Sequence, residues 1–213
     1  MYHQLVARGE AKDVELGLRA AGVQRTRCGI LAAARRQLIE TGYHRLSMED
    51  VAAEAGVTRV TIYRHFDSKL GLLDAIAEDL GQRTHIVTGM RNATEVADPV
   101  TAFTAMVTTL CHFWNTDPDV LRRLISLAAV DPEAHRAIAS REQWRYDQIA
   151  TFVERLGHAD RLQTPFDVGQ ATAIVGTMTS FPACDEMAAR LRINLTELDQ
   201  LLLPLLSSVV RLD

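Results

Sequence analysis

Residues 47–66 read Ser-Met-Glu-Asp-Val-Ala-Ala-Glu-Ala-Gly-Val-Thr-Arg-Val-Thr-Ile-Tyr-Arg-His-Phe, and this stretch predicts two short helices joined by a tight turn. Ser47 stands where a helix N-cap accepts a hydrogen bond from a free amide, and acidic residues follow in the first turn. Gly56 ends that helix, and Thr58 is placed to cap the next one. Two short helices with a glycine in the intervening turn are typical of a helix-turn-helix unit.

The flanking sequence predicts further helices. Apolar residues recur three and four positions apart over residues 24–42, where Ile30, Ala34 and Leu38 form one stripe and Gly42 follows as a C-terminal cap. Another helix is predicted over 67–89. Because the chain has no alternating apolar pattern or Asn-Gly hairpin signal, we expect an all-α fold.

Three Asp-Pro pairs punctuate the rest of the chain, at positions 98–99, 117–118 and 131–132. Aspartate as N-cap with proline at the first helical position marks a helix start. The remaining predicted helices cover 99–116, 118–129, 132–157, 166–187 and 195–211, with Pro165 opening the fourth of these. The total is about nine helices. Whether Pro182 and Pro204 kink or end their helices stays open.

Composition excludes several classes of protein. Of 213 residues, 47% are apolar and 23% charged, which is enough for a core and unlike a disordered chain. The longest uncharged stretches, 100–116 and 168–184, are short for a membrane span and contain polar residues. The first twenty residues lack an apolar leader, and the three cysteines are scattered. We therefore expect a cytoplasmic protein with reduced, buried thiols at Cys28, Cys111 and Cys184.

Charge and motifs point away from catalysis. Residues 23–70 carry a net charge of +3, whereas residues 71–213 carry −7, a split that suggests an anionic partner for the first part and that ordinary scatter explains equally well. The chain lacks the serine-hydrolase, P-loop, dinucleotide-binding and zinc-protease motifs, and its seven histidines are dispersed. We expect no enzymatic activity, no metal site and no cofactor.

The second short helix, over 57–66, carries an unusual set of hydrogen-bond donors. With Val57, Ile62 and Phe66 facing inward, its outward or edge positions hold Thr58, Arg59, Thr61, Tyr63 and His65. Such side chains suit phosphate oxygens and base edges. The alternative is a solvated polar face on a minor helix.

Residues 27–73 resemble the DNA-binding domain of the TetR (tetracycline-repressor) family of bacterial transcriptional regulators. The matching residues are Ile30-Leu-x-Ala-Ala34, Leu38, Gly42-Tyr43, Ser47-Met-x-x-Val-Ala52, Ala55-Gly-Val-Thr58, Thr61-Ile-Tyr-x-His-Phe66, Ser68-Lys69 and Leu72-Leu73. The resemblance covers about a quarter of the chain. It implies an N-terminal extension over 1–22, a helix-turn-helix DNA-binding domain over 23–70, and a ligand-binding and dimerisation domain over 71–213.

The resemblance also implies which residues contact DNA. The resemblance implies that Ser47 donates a hydrogen bond to a DNA phosphate. It also implies that the second short helix is the recognition helix, whose start faces bases in the major groove and whose later positions contact the DNA backbone. Val60 departs from the glycine or small residue of many relatives, and its methyl groups suit a thymine methyl. Tyr43 is expected to pack against the fourth helix rather than touch DNA. The candidate DNA-binding residues are Ser47, Thr58, Arg59, Val60, Thr61, Tyr63, His65 and Lys69.

Relatives bind a small molecule between their fourth and seventh helices and dimerise through their last two. The residues expected in the pocket, each of which plain core packing would also explain, are Phe103, Met106, Val107, Leu110, Phe113, Trp114, Leu124, Leu127, Trp144 and Ile174. His112 and Trp114 are the expected polar anchors in that pocket. Small and leucine-rich positions predict the dimer face, with tight packing inside one chain as the alternative: Gly169, Ala173, Gly176, Ser180, Leu198, Leu202, Leu205 and Val209.

The sequence therefore predicts a ligand-responsive transcriptional regulator. The expected form is a homodimeric repressor that binds a palindromic double-stranded DNA operator and is released by a small apolar effector, without membrane association. An activator of the same family and a helical ligand-binding protein that does not bind DNA are the alternatives.

Overall fold

The computed structural model describes the backbone of residues 2–213 and the side chains of residues 19–213. Over this range the chain is helical, without a named strand, and the all-α prediction is confirmed. Eleven α-helices and one 3-10 helix form where about nine helices were expected. In chain order they are α1 (Tyr2–Thr41), α2 (Met48–Glu54), α3 (Arg59–Phe66), α4 (Lys69–Arg83), α5 (Ile86–Glu95), α6 (Pro99–Thr116), α7 (Pro118–Ala128), α8 (Pro132–His158), α9 (Val168–Met178), α10 (Phe181–Leu191), the 3-10 helix (Leu195–Glu197) and α11 (Asp199–Leu206).

The helix predicted over 67–89 is divided into α4 and α5. Thr84 donates its hydroxyl proton to the carbonyl oxygens of Leu80 and Gly81 at 2.9 and 3.0 Å. His85 then adopts a left-handed conformation with φ 53°, which interrupts the helix before Ile86. Neither position is glycine or proline, so the sequence carried no ordinary signal for this break.

The helix predicted over 166–187 is also divided. Asp167 and Gln170 form a capping box that starts α9, so Pro165 precedes the helix instead of opening it. Ser180 caps a second helix, and Pro182 lies in the first turn of α10, where proline is tolerated. Near the C-terminus, Pro204 lies inside α11, which is shorter than the helix predicted over 195–211.

The structure divides into two compact units, Met1–Ile76 and Ala77–Asp213, with the boundary inside α4. In the first unit, the core contains the fully buried side chains of Ile30, Leu38, Ile62 and Leu72. Ser47 accepts hydrogen bonds from two amides in the first turn of α2, as its position predicted. Together these contacts fix the short α2 and α3.

The second unit is built around α6. Phe103 and Met106 of α6 are fully buried, and Phe152 of α8 is 1% exposed. Trp114, near the end of α6, donates its indole N–H to the carbonyl of Thr179 at 3.0 Å. Arg145 of α8 is 2% exposed and donates to the carbonyl of Gly176 at 3.0 Å. The core thus joins α6, α8 and the end of α9.

Cys28 and Asp117 do not have the surroundings that the sequence predicted. Cys28 is exposed, whereas burial raises the pKa of the Cys111 and Cys184 thiols to about 12. Asp98 and Asp131 accept capping hydrogen bonds, but the Asp117 side chain caps nothing. Asp117 is 3% exposed, and its Oδ2 lies 3.8 Å from Nη2 of Arg83.

Replacement of Gly176 by alanine is expected to destabilise the second unit. An ideal Cβ there would lie 2.7 Å from Cζ of Tyr146 and close to two further ring carbons, so the ring must move. We expect the free energy of unfolding to fall by about 1–3 kcal/mol, measured by chemical denaturation. The matched control is Gly29→Ala in α1, where a Cβ meets nothing within 4 Å and the helix propensity gain is favourable. A Gly176→Ala variant as stable as Gly29→Ala would contradict the packing of Tyr146 on this glycine.

Candidate functional site

The orientation of α3 follows from its caps and its buried side. Thr58 accepts a hydrogen bond from the amide of Thr61 at 3.2 Å, and the two hydroxyl oxygens lie 3.0 Å apart. Ile62 and Phe66 are 0% and 4% exposed. Since these positions face the core, helical periodicity turns Arg59, Val60 and Tyr63 outward.

Arg59 and Tyr63 form a pair on the exposed face of α3. The guanidinium carbon of Arg59 lies 5.4 Å from the centre of the Tyr63 ring, and its Nη2 donates to the phenol oxygen at 3.2 Å. The hydrogen bond to Tyr63 raises the pKa of Arg59, and the guanidinium is cationic at neutral pH in any case. Val60, between them in sequence, is 76% exposed.

Lys69 opens α4 beside the loop that precedes α2. Its Nζ lies 4.4 Å from the centre of the Tyr43 ring and donates to the carbonyl of His44 at 3.4 Å. Partial burial lowers the pKa of Lys69. Tyr43 therefore contacts the first residue of α4.

His65 is half-buried near the end of α3. Its ring centre lies 5.9 Å from that of Phe66, and desolvation, aided by Arg64 and Arg27, lowers its pKa. The neutral imidazole is therefore favoured in the folded unit. Ser47 is half-buried, and after accepting two amides its hydroxyl still has a proton to donate.

All eight candidate DNA-binding residues thus lie between the start of α2 and the start of α4. Arg59, Val60 and Tyr63 share the exposed face of α3, whereas the hydroxyls of Thr58 and Thr61 face each other.

A cavity of about 620 Å³ lies in the second unit, between α4, α5, α6, α7 and α8. Its apolar wall includes five of the residues expected there: Leu110, Phe113, Trp114, Leu124 and Trp144. Phe103, Met106 and Val107 are instead fully buried in the core on α6. Leu127 is buried and Ile174 half-buried, and neither lines the cavity.

The polar part of the cavity wall differs from the polar anchors that the sequence predicted. His112 is exposed outside the cavity, and the indole N–H of Trp114 is engaged by Thr179. Polar groups come instead from α4, the α4–α5 junction and α8: Glu78, Gln82, His85, Ser140, Arg141, Glu142 and Arg145. Glu142 accepts from Nη2 of Arg145 at 2.8 Å. Nothing in helical spacing marked these positions, because charged residues on a long helix ordinarily face solvent.

The residues expected in a dimer face divide into two groups. Gly169, Ala173 and Leu205 are exposed, with Leu205 at 42%. The others serve their own chain: Gly176 packs on Tyr146, Ser180 caps α10, and Leu198, Leu202 and Val209 belong to the core.

The described part of the chain contains neither a candidate metal site nor a helix suited to span a membrane. Among those residues no group of three or more His, Cys, Asp or Glu side chains could hold a metal ion. No helix within them combines the length and apolar character that crossing a bilayer requires.

The lowered pKa of His65 predicts a pH dependence of stability. Above the unfolded pKa of 6.5 the imidazole is neutral in both states; below it the unfolded chain binds the proton more readily, so the free energy of unfolding falls. Urea unfolding at pH 7.5 and 5.5, followed by circular dichroism, measures this loss. In His65→Gln the loss should be smaller; an equal loss in both proteins would remove His65 as a cause.

Comparison with known proteins finds one matching sequence family and several similar structures. The sequence model described as "Bacterial regulatory proteins, tetR family" matches residues 30–76. The fatty acid degradation regulator FadR of Bacillus halodurans has a similar structure, with TM-score 0.71, 19% identity, and 85% of this chain and 94% of that chain covered. FadR of Bacillus subtilis in complex with stearoyl-CoA is similar with TM-score 0.71 and 20% identity, and the match covers 85% of this chain and 97% of that chain. A TetR transcription regulator of Haloarcula marismortui is similar with TM-score 0.69 and 19% identity, and the match covers 87% of this chain and 98% of that chain. The predicted family resemblance is confirmed over residues 30–76, which match the model of the tetR family of bacterial regulatory proteins.

Proposed function

We propose that this protein is a ligand-responsive repressor that binds a palindromic DNA operator as a homodimer. The observation that carries the proposal is the exposed face of α3, where Arg59, Val60 and Tyr63 project from a helix fixed by its caps and core. Positions 23–70 form the DNA-binding domain in this proposal, and positions 71–213 bind the effector and the second copy.

The contacts divide by chemistry. Arg59 and Val60, in the first turn of α3, read base edges in the major groove. Ser47, Tyr63, His65 and Lys69 contact phosphate, with the hydroxyls of Thr58 and Thr61 at the edge of the interface. These backbone contacts position α3 without carrying sequence information.

Dimerisation supplies what one short helix lacks. A single α3 offers few base contacts, and a second copy adds a second half-site about one helical turn away. Gly169 and Ala173 on α9 and Leu205 on α11 are exposed, and two copies could cover them. We assign these three to the subunit interface.

The cavity is the proposed effector site. Its volume of about 620 Å³ and largely apolar wall suit a small ligand of apolar character. FadR of Bacillus subtilis, a structural neighbour, was solved with stearoyl-CoA, so a long acyl chain is the first class to test here.

Helix α4 links the two activities. Lys69 opens it, and Glu78, Gly81 and Gln82 near its end line the cavity. A ligand that binds more tightly when α4 is displaced moves Lys69 and lowers DNA affinity; about 1–3 kcal/mol of coupling is typical. We propose repression because ligand binding releases the protein from DNA. An activator of the same family would differ in the promoter position that it occupies.

The first test is fluorescence anisotropy of the purified protein with a duplex from the upstream region of its gene and with a scrambled duplex. We expect preferential binding at two chains per site. Lys69→Ala should weaken both duplexes alike and lower the salt slope by about one unit. The charge-matched control Arg91→Ala, in α5 of the second unit, should leave both unchanged. Equal binding of the scrambled duplex would favour the ligand-binding protein that does not bind DNA.

Effector binding is tested by filling the cavity. Stearoyl-CoA is expected to release the duplex from the parent protein, and coenzyme A alone is not. Ile125→Trp adds a large ring to the half-buried cavity wall, so DNA binding should persist while release is lost. Val130→Trp, at a position 73% exposed and outside the cavity wall, should respond like the parent. Release that is equal in both variants would place the effector elsewhere.

A further inference from the structure

We infer that Arg59 reads a guanine and Val60 a thymine methyl group in each half-site, and that Tyr63 holds the Arg59 guanidinium in position for its base. The inference rests on the proposed DNA-binding function and deepens it by naming the bases. It follows from how the first turn of α3 distributes its polar and apolar groups.

The hydroxyls at this end of α3 are already engaged. Thr58 accepts from the amide of Thr61, and the two hydroxyl oxygens lie 3.0 Å apart. One of the two hydroxyl protons is used between them and Thr58 also caps the helix, whereas the longer Arg59 and the exposed Val60 reach beyond the backbone. Base recognition therefore depends on one guanidinium and one isopropyl group.

Val60 presents apolar surface where only a partner can cover it. Its side chain is 76% exposed, and its β-branched carbon restricts the side chain to few rotamers. Thymine alone among the four bases carries a methyl group in the major groove. A rigid isopropyl group in the first turn of a recognition helix is suited to that methyl and offers nothing to a donor or acceptor.

Arg59 is held before DNA arrives. One N–H of Nη2 is used by the Tyr63 phenol at 3.2 Å, with the guanidinium carbon 5.4 Å from the ring centre. Four of the five N–H donors remain, enough for a bidentate contact with O6 and N7 of guanine. Because a free arginine loses considerable rotamer freedom on binding, this restraint favours the guanine contact.

The phenol of Tyr63 can serve two partners at once. Its oxygen accepts from Arg59, and its own proton stays available for a phosphate oxygen. Tyr63 thus ties the base-reading guanidinium to the backbone contact. Lys69, in contrast, contacts Tyr43 and His44, and the structure records no bond from it to Arg59.

The test starts from a 30-base-pair duplex recovered by in vitro selection from a randomised pool with the full chain. Each guanine is replaced in turn by 7-deazaguanine, which lacks the N7 acceptor, and each thymine by uracil, which lacks the methyl. For the parent we expect about tenfold weaker binding at one guanine per half-site. At one thymine we expect about fourfold, the contribution of one buried methyl group.

Variants assign each effect to its residue. The 7-deazaguanine effect should vanish in Arg59→Ala and persist in Val60→Ala, and the uracil effect should do the reverse. Tyr63→Phe and Lys69→Ala each remove one phosphate contact, so both should bind all duplexes more weakly. Only Tyr63→Phe should also reduce the ratio between guanine and 7-deazaguanine duplexes, which a merely structural role would leave unchanged.

Each alternative outcome of these measurements overturns a defined part of the inference. Equal ratios in Tyr63→Phe and Lys69→Ala would overturn the positioning role of Tyr63. Parent binding that is insensitive to every 7-deazaguanine, or to every uracil, would overturn the corresponding base assignment while leaving DNA binding intact. A pool from which no duplex is enriched would overturn the proposed function, and the base assignments with it.

Discussion

The burial of Ile62 and Phe66 is the constraint on which the first unit depends. Helix α3 has eight residues, too few to be stable alone in water, so packing and not propensity holds it. Once these two side chains occupy the core, the helical period determines the outward direction of positions 59, 60 and 63. Asp67, with φ 58°, then turns the chain, and the Ser68 hydroxyl accepts from the amide of Gly71 at 2.9 Å to start α4. The position of Lys69 follows from the same packing.

The second unit combines a tight core with a cavity. Arg145 shows how both arise on one helix. The residue is 2% exposed, yet Glu142 accepts hydrogen bonds from both its Nε and its Nη2, and the Gly176 carbonyl and the Thr179 hydroxyl accept from its Nη1. A buried cation with this many partners avoids the penalty of an unpaired charge. Its side chain forms a polar part of the cavity wall, and residues of α6 and α7 form an apolar part.

The sequence predicted the elements whose signals are local. Ser47 and Thr58 as caps, Gly42 and Gly56 at positive φ, and the buried stripe through Ile30 and Leu38 all depend on neighbours within one or two helical turns. Long-range packing decided the rest.

Gly176 illustrates that difference. Its small size predicted close approach of another helix, but spacing alone could not tell a second chain from Tyr146 of the same chain. The same limit applies to the cavity. Apolar positions on α6 look alike in sequence whether they face the core, as Phe103 does, or line the cavity, as Phe113 does.

The break between α4 and α5 places a residue with a strained backbone in the cavity wall. A histidine at φ 53° adopts a conformation that ordinarily costs about 1 kcal/mol or more, and no side-chain cap offsets it at His85. An uninterrupted helix would carry Ile86 and Val87 onward in the direction of α4. With the break, both residues line the cavity together with His85 itself. The strained residue therefore lies in the wall that a ligand would contact and directly after the helix that begins with Lys69. In the mechanism proposed above, cavity occupancy acts on α4 through this junction.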